Sequence, residues 1–274
     1  MAKILSTTNG PLGVALDVWQ DQAKFETQSI QALSGSGNDS YLITSTEHQQ
    51  QVIRLNGDTT HLGVNRQRES EVLQAIKTLS IAAPCLFASE NFSVFEYIHT
   101  QGEASIRSIA ESLSRLHQHT NSWSDTQPRW TPNDTIENYL QLAPGVAPYF
   151  IETVRHLKQI DWQNCHFGIC HIDLNPQNIL PTATGVKLID WEYSRVGPTI
   201  YDIAVFMQTH GDINLTEFLK HYELQVPKQT LELARLAYDV IEVLWFSIAQ
   251  PEEWPEERTK QKATELQTQL SGFI

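Results

Sequence analysis

The apolar pattern of this chain changes character near Ile98, and that change limits the architectures open to it. Before it, short β-like runs dominate. Ile30–Leu33 and Tyr41–Thr44 flank the small polar stretch Ser34–Ser40, which reads as strand, flexible turn and strand. A third strand is expected at Gln51–Leu55, and two more near Cys85–Ala88 and Phe92–Ile98. Two helices interrupt this front part. Leu12, Ala15, Leu16, Trp19 and Ala23 recur at helical spacing over 12–25, and a charged amphipathic segment covers 65–79.

After Ile98 the period becomes helical. Ile106, Ile109, Leu113 and Leu116 mark a helix over 105–119, and further helical segments follow at 134–142 and 147–160. Residues 178–190 read as two short strands around a Thr/Gly turn. From Tyr201 onward the chain is mostly helical, punctuated by Pro227, Pro251 and Pro255. The expected class is α+β, with a small β-rich front lobe and a larger helical back lobe joined near Glu96–Thr100.

Composition narrows the function classes. The formal net charge of −13, with no basic run, argues against nucleic acid or an anionic membrane surface as partner. A cationic ligand or a metal-bridged anion is easier to hold. The longest apolar stretch, Val243–Ala249, is too short to span a bilayer. Cys85, Cys165 and Cys170 are odd in number and lack paired spacing, which fits a reducing compartment. A soluble, cytoplasmic chain is expected.

The segment that carries chemistry is His171-Ile172-Asp173-Leu174-Asn175-Pro176-Gln177-Asn178, followed twelve residues later by Asp190. Hard oxygen donors of this kind suit Mg²⁺, which takes one or two protein side chains and fills its remaining positions with phosphate and water. If Asn178 starts a strand and Asp190 ends its hairpin partner, the two lie side by side. Asp173 is placed on a loop where it can accept a hydrogen bond from an incoming hydroxyl. The H-x-D-x-x-x-x-N pattern alone is weak, since Asp and Asn are also common turn formers. Its weight comes from the hairpin that closes on Asp190 and from the Gly/Ser turn and charged helix upstream.

With "KLIDWEYS" (Lys187–Ser194) and "YDIA" (Tyr201–Ala204), this segment resembles the aminoglycoside phosphotransferase/choline kinase superfamily, and bacterial choline and thiamine kinases most closely. The resemblance implies a bilobal, protein-kinase-like fold, with residues 1–98 as nucleotide-binding lobe and 99–274 as catalytic and substrate lobe. It implies an ATP-dependent phosphotransferase using Mg²⁺. Asp173 would be the catalytic base, and Asn178 and Asp190 the metal ligands. His171 and Asp202 would support the catalytic loop, and His117 would be structural. Ser34, Gly35, Ser36, Gly37 and Asn38 would cover the phosphates. Arg54 would contact the α/β-phosphates, paired with Glu69 or with the competing Glu71. Glu96 and Ile98 would mark the adenine hinge. Gln177 and Ile172 depart from the residues frequent in relatives.

For the acceptor, the resemblance points to a small alcohol bearing a positive charge, of choline or thiamine type. Trp191, Glu192 and Trp245 are the expected substrate residues, with Tyr193 clustered beside the first two, because aromatic faces and carboxylates both attract such a cation. Glu192 is expected on the same side as Asp190 if the strand continues through both. Trp245 has a competing reading as a core residue between Leu244 and Phe246. The alternatives to a cationic-metabolite kinase are an aminoglycoside-type phosphotransferase and a catalytically silent kinase-fold binding protein.

Overall fold

In the computed structural model of the protein, residues 10–33, 38–211 and 213–271 are described. The elements in chain order begin with α1 (Pro11–Ala23), β1 (Thr27–Leu33), β2 (Asp39–Ser45), β3 (Gln50–Leu55), α2 (Arg66–Ala75), β4 (Cys85–Ala88) and β5 (Phe92–Glu96). Then come α3 (Ile106–His117), α4 (Ser122–Thr126), α5 (Pro132–Leu142), α6 (Ile151–Leu157), β6 (Phe167–Cys170), β7 (Ile179–Thr182) and β8 (Gly185–Leu188). The chain continues through β9 (Arg195–Pro198), α7 (Ile200–Thr209), α8 (Leu215–Leu219), α9 (Lys228–Ala249) and α10 (Glu256–Ser271). These elements form two compact units, Met1–Glu103 with Leu180–Glu192, and Ala104–Ile179 with Tyr193–Ile274.

The first unit is built on an antiparallel sheet ordered β1-β2-β3-β5-β4. Helix α1 begins with Pro11, whose fixed φ suits a first turn, and ends at Lys24 in a left-handed conformation. Its buried stripe of Leu12, Ala15, Leu16 and Trp19 packs with Ile43, Ile53, Phe92 and Val94 of the sheet. The Trp19 indole N–H donates to Gln51 Oε1 at 2.8 Å, which satisfies the one polar atom of that side chain. Because strand side chains alternate, Ile53 in this core commits its neighbour Arg54 to the opposite face. The 180–192 segment joins this unit through backbone bonds from Leu188 to Ile81, from Ala83 to Leu188 and from Gln101 to Pro181. Lys187 Nζ also donates to the Ser80 carbonyl.

The second unit is helical, with one small antiparallel sheet of β6 and β9. Helix α9 packs against α5, α7 and α10. Helix α7 is buried from Ile200 to Met207, the pattern of a helix surrounded by protein. Strand β6 runs past the C-terminal end of α3 so closely that a Cβ at Gly168 would sit 2.5 Å from the His117 carbonyl oxygen. Only glycine fits there. No helix among the described residues is long and apolar enough to cross a membrane.

The α+β class is as expected, and three local expectations change. Strands β6 and β9 carry no alternation to read, because Gly168, Gly197 and Pro198 stand where apolar side chains would otherwise mark them. Asn178 does not start a strand. It closes a 3₁₀ turn, Pro176–Asn178, that precedes β7. Asp190 does not end β8 either: the strand stops at Leu188, and Asp190 adopts a left-handed φ of 63°. The alternation argument that aligned Glu192 with Asp190 therefore has no strand to act on.

Candidate active site

The first unit gathers a network of five charges on the face of the sheet opposite α1. Arg54 Nη2 donates to Glu69 Oε2 at 2.7 Å, and its Nη1 donates to Asp190 Oδ1 at 3.0 Å. Glu69, in the first turn of α2, is thus the partner of Arg54. Glu71 instead accepts from Gln67 along the helix at 2.9 Å. The Arg54 and Glu69 side chains are only 7% and 4% exposed. Burial alone would lower the Arg54 pKa, but Glu69, Asp190 and Glu192 reverse this and hold the guanidinium above its ordinary value. For Glu69, burial pushes upward, while Arg54 and Arg66 outweigh it and hold the carboxyl below its usual range. Breaking such a buried pair by removing one partner costs about 3–5 kcal/mol.

Glu192 lies in the same network and not in an open pocket. Its Oε2 accepts from Arg66 Nη1 at 2.7 Å and from Asn38 Nδ2 at 2.9 Å, and the residue is 5% exposed. Trp191 is 2% exposed and gives its indole N–H to the Leu188 carbonyl at 3.0 Å. The sequence reading assigns both to a cation pocket. Their burial and internal partners make Trp191 a core residue and Glu192 an ion-pair partner. The Ser34, Gly35, Ser36 and Gly37 expectation lies outside the described residues. Glu96 closes β5 with its N–H given to the Pro84 carbonyl at 2.9 Å, and half-buried Ile98 follows just beyond the strand.

The second unit holds the loop that carries Asp173. Asp202 is fully buried in the first turn of α7. Its Oδ2 accepts from His171 N at 2.8 Å, and its Oδ1 accepts from Ile172 N at 2.7 Å. These bonds fix Ile172 at a φ of 75°, a left-handed conformation that a β-branched residue adopts only under constraint. His117 Nε2 meets Asp202 Oδ2 at 3.0 Å, and its Nδ1 meets the Tyr222 hydroxyl at 2.7 Å. A carboxylate only accepts, so the imidazole donates to it from Nε2. Cys170 lies beside this pair and donates to the Gly197 carbonyl; burial, reinforced by Asp202, pushes its thiol well above the ordinary value. The buried His117, Cys170 and Asp202 group is thereby a hydrogen-bonded brace with its partners already assigned.

Beyond Ile172 the loop orders its own polar side chains. Asn178 Nδ2 donates to Asp173 Oδ2 at 2.8 Å and to the Asp173 carbonyl at 2.9 Å, which turns its amide oxygen the other way. Asn175 Nδ2 donates to Asp173 Oδ1 at 3.0 Å. The Asn175 oxygen caps the following 3₁₀ turn, accepting from Gln177 N and Asn178 N, with Pro176 at its first position. Asn175 is a site residue that sequence reasoning misses, although an Asn-Pro step is the sequence signal of such a cap. The loop is further tied to α7 by Thr209 Oγ1, which donates to the Leu174 carbonyl at 3.0 Å.

The match to the phosphotransferase enzyme family (APH) spans residues 29–236, most of the chain, including the five-charge network and the Asp173 loop. The chain belongs to this family. Among relatives, Protein LicA of Haemophilus influenzae is 24% identical over 179 residues, covering 58% of this chain and 52% of that protein. A probable ethanolamine kinase of Nematostella vectensis is 25% identical over 178 residues, covering 56% of this chain and 51% of that protein. The aligned part thus spans about half the length of these two curated relatives. In fold, the crystal structure of choline kinase LicA from Streptococcus pneumoniae matches with a TM-score of 0.75 at 22% identity, over 93% of this chain and 98% of that one.

Also in the second unit, half-buried Trp245 donates its indole N–H to the Tyr193 hydroxyl at 3.0 Å and meets Phe246 edge-on. Phe246 stacks on Trp254 with centroids 4.8 Å apart, and the Arg258 guanidinium lies 3.8 Å from the Trp254 ring centroid. Both faces of Trp254 are therefore taken, while Trp245 keeps part of its surface open. Of the expected Trp191, Glu192 and Tyr193 cluster, Tyr193 is the member that meets Trp245.

Proposed function

We propose that the protein is an ATP-dependent kinase that phosphorylates the hydroxyl of a small cationic metabolite, of choline or thiamine type. The observation that carries this reading is the Asp173 carboxylate, held by Asn175 and Asn178 on a loop whose backbone Asp202 pins. Membership of the phosphotransferase family supports it. In this reading Asp173 accepts the acceptor's hydroxyl proton as the oxygen takes the γ-phosphoryl group and ADP leaves. Residues 1–98 serve as the nucleotide lobe, with Arg54 toward the phosphates and Glu96 and Ile98 at the adenine. Residues 99–274 supply the catalytic loop and the acceptor site.

Magnesium fits the donor chemistry of the chain. Asp190 offers a carboxylate that is 29% exposed in an otherwise buried charge network. Asn178 commits both amide hydrogens to Asp173 and so presents an oxygen. The bound ion would neutralise phosphate charge. The acceptor's positive charge is supported by the formal net charge of −13 and by the Trp245–Tyr193 pair, a tryptophan face being worth about 0.5–2 kcal/mol to a cation. The test is ADP release, with Mg²⁺ and with chelator, across choline, thiamine, ethanolamine, an aminoglycoside and a neutral isostere of choline. Turnover with a cationic alcohol, lost in chelator, is expected. Equal turnover of the neutral isostere would remove the cation requirement, and ATP binding without turnover of any acceptor would favour a silent binding protein.

A further inference from the structure

We propose that Arg66 is a positioning residue for nucleotide binding: by joining Asn38, Glu192 and Glu69 it keeps Arg54 and Asp190 in place to receive the phosphates. This rests on the kinase reading above. Arg66 is the first residue of α2, set by the Asn65 cap, whose side chain accepts from Arg68 N. Its Nη1 donates to Glu192 Oε2 at 2.7 Å and to Glu69 Oε2 at 3.2 Å, and its Nη2 donates to Asn38 Oδ1 at 3.2 Å. Asn38 closes the ring by donating to Glu192. One planar guanidinium thus joins three separate stretches of chain. They are the residue that follows Gly37, the start of α2, and the segment two residues past Asp190. A lysine ammonium has no such fork.

Charge balance shows what this tie does for its neighbours. The network contains two guanidiniums and three carboxylates, and Asp190 is its most exposed member at 29% against 13% or less for the others. With Arg66 present, Glu192 and part of Glu69 are neutralised without drawing on Arg54. With Arg66 removed, Arg54 is the cation left in the network, among the described residues, for all three carboxylates. Arg54 then shifts toward the buried ones, Glu192 is left uncompensated, and the Asp190 segment loses its anchor. Arg66 itself touches no phosphate in this scheme. It acts through Arg54 and Asp190.

The experiment compares wild type, Arg66→Met and Arg66→Met/Glu192→Gln. It measures the dissociation constant for ATP by calorimetry, with Mg²⁺ and with chelator, and the thermal midpoint. The double variant removes the stranded carboxylate, and the carboxamide that replaces it can still accept from Asn38, so it isolates positioning from simple stability. The expected result is a lower midpoint in the single variant that the double variant recovers, with ATP affinity weaker by about 10-fold or more in both. Recovery of ATP affinity together with the midpoint would make Arg66 only a fold stabiliser and overturn the proposal. So would an affinity in the single variant within about twofold of wild type. A wild-type chain that binds no ATP would overturn the kinase reading itself, a result distinct from the other two.

Discussion

Replacing Asp202 by Asn tests the brace beneath the catalytic loop with almost no change of shape. The native carboxylate accepts three hydrogen bonds, from His171 N, Ile172 N and His117 Nε2. An asparagine offers one oxygen and one NH₂ in the same place. If the NH₂ replaces Oδ1 it faces the Ile172 N–H, and if it replaces Oδ2 it faces the His171 N–H. The first orientation costs less, because Oδ2 holds two of the three bonds: it orphans one backbone donor, at about 1–3 kcal/mol, and the two remaining bonds lose their charge assistance, at about 1 kcal/mol each. The sum is about 3–5 kcal/mol out of a total stability of about 5–15 kcal/mol, so the variant remains folded in the cold. Urea denaturation followed by tryptophan fluorescence measures the loss, and hydrogen exchange of the 171–172 amides locates it. Exchange there should accelerate, because Ile172 relaxes from its left-handed conformation once its N–H is released. A loss below about 1 kcal/mol with unchanged exchange at these amides would refute the reasoning.

Two further perturbations bear on chemistry and on pH. Asp173→Asn should leave the chain folded and able to bind ATP but lower turnover by about 10²–10⁴-fold; a folded variant with near-normal turnover would remove Asp173 as the base. Asp239, on α9, has its carboxyl pushed up to about 7 by burial, despite two hydrogen bonds from Gln208 Nε2. A raised carboxyl pKa means that the folded chain holds a proton the unfolded chain has released. Its contribution to stability is therefore full below about pH 4 and falls as pH rises through about 7. Asp239→Asn should accordingly gain stability relative to wild type as pH rises from about 5 to about 8, and thermal midpoints that differ equally at both ends of that range would count against it.

What could be read from the sequence was whatever repeats or keeps a fixed spacing. The alternation through Ile53 and Arg54 and the stripe Leu12–Trp19 are local patterns, and the sheet and α1 followed from them. The loop position of Asp173 was legible from the spacing of its segment, whereas the bond Asn178 gives it was not. The failures came where one backbone angle altered the frame. A left-handed Asp190 ends the alternation on which the placement of Glu192 depended, and no composition rule marks that turn. The Arg66 ring was hidden for another reason. Its members are far apart in sequence, and arginine, asparagine and glutamate on a polar helix or turn look like surface residues until the fold brings them together.

The hold of Asp202 on the loop goes through two peptide N–H groups, and peptide N–H groups are the same whatever residue bears them. The grip is thus blind to side-chain identity. Ile172 and Gln177 can be exchanged for residues of other size or polarity without loosening the attachment that sets Asp173, provided that position 172 still accepts a positive φ. This separates two tasks within one short loop. The reacting carboxylate stays where α7 puts it, while the side chains on either side of it are open to drift toward new acceptors. A glycine or asparagine at 172 would hold the same turn with less strain, by about 1 kcal/mol, and would leave the chemistry untouched.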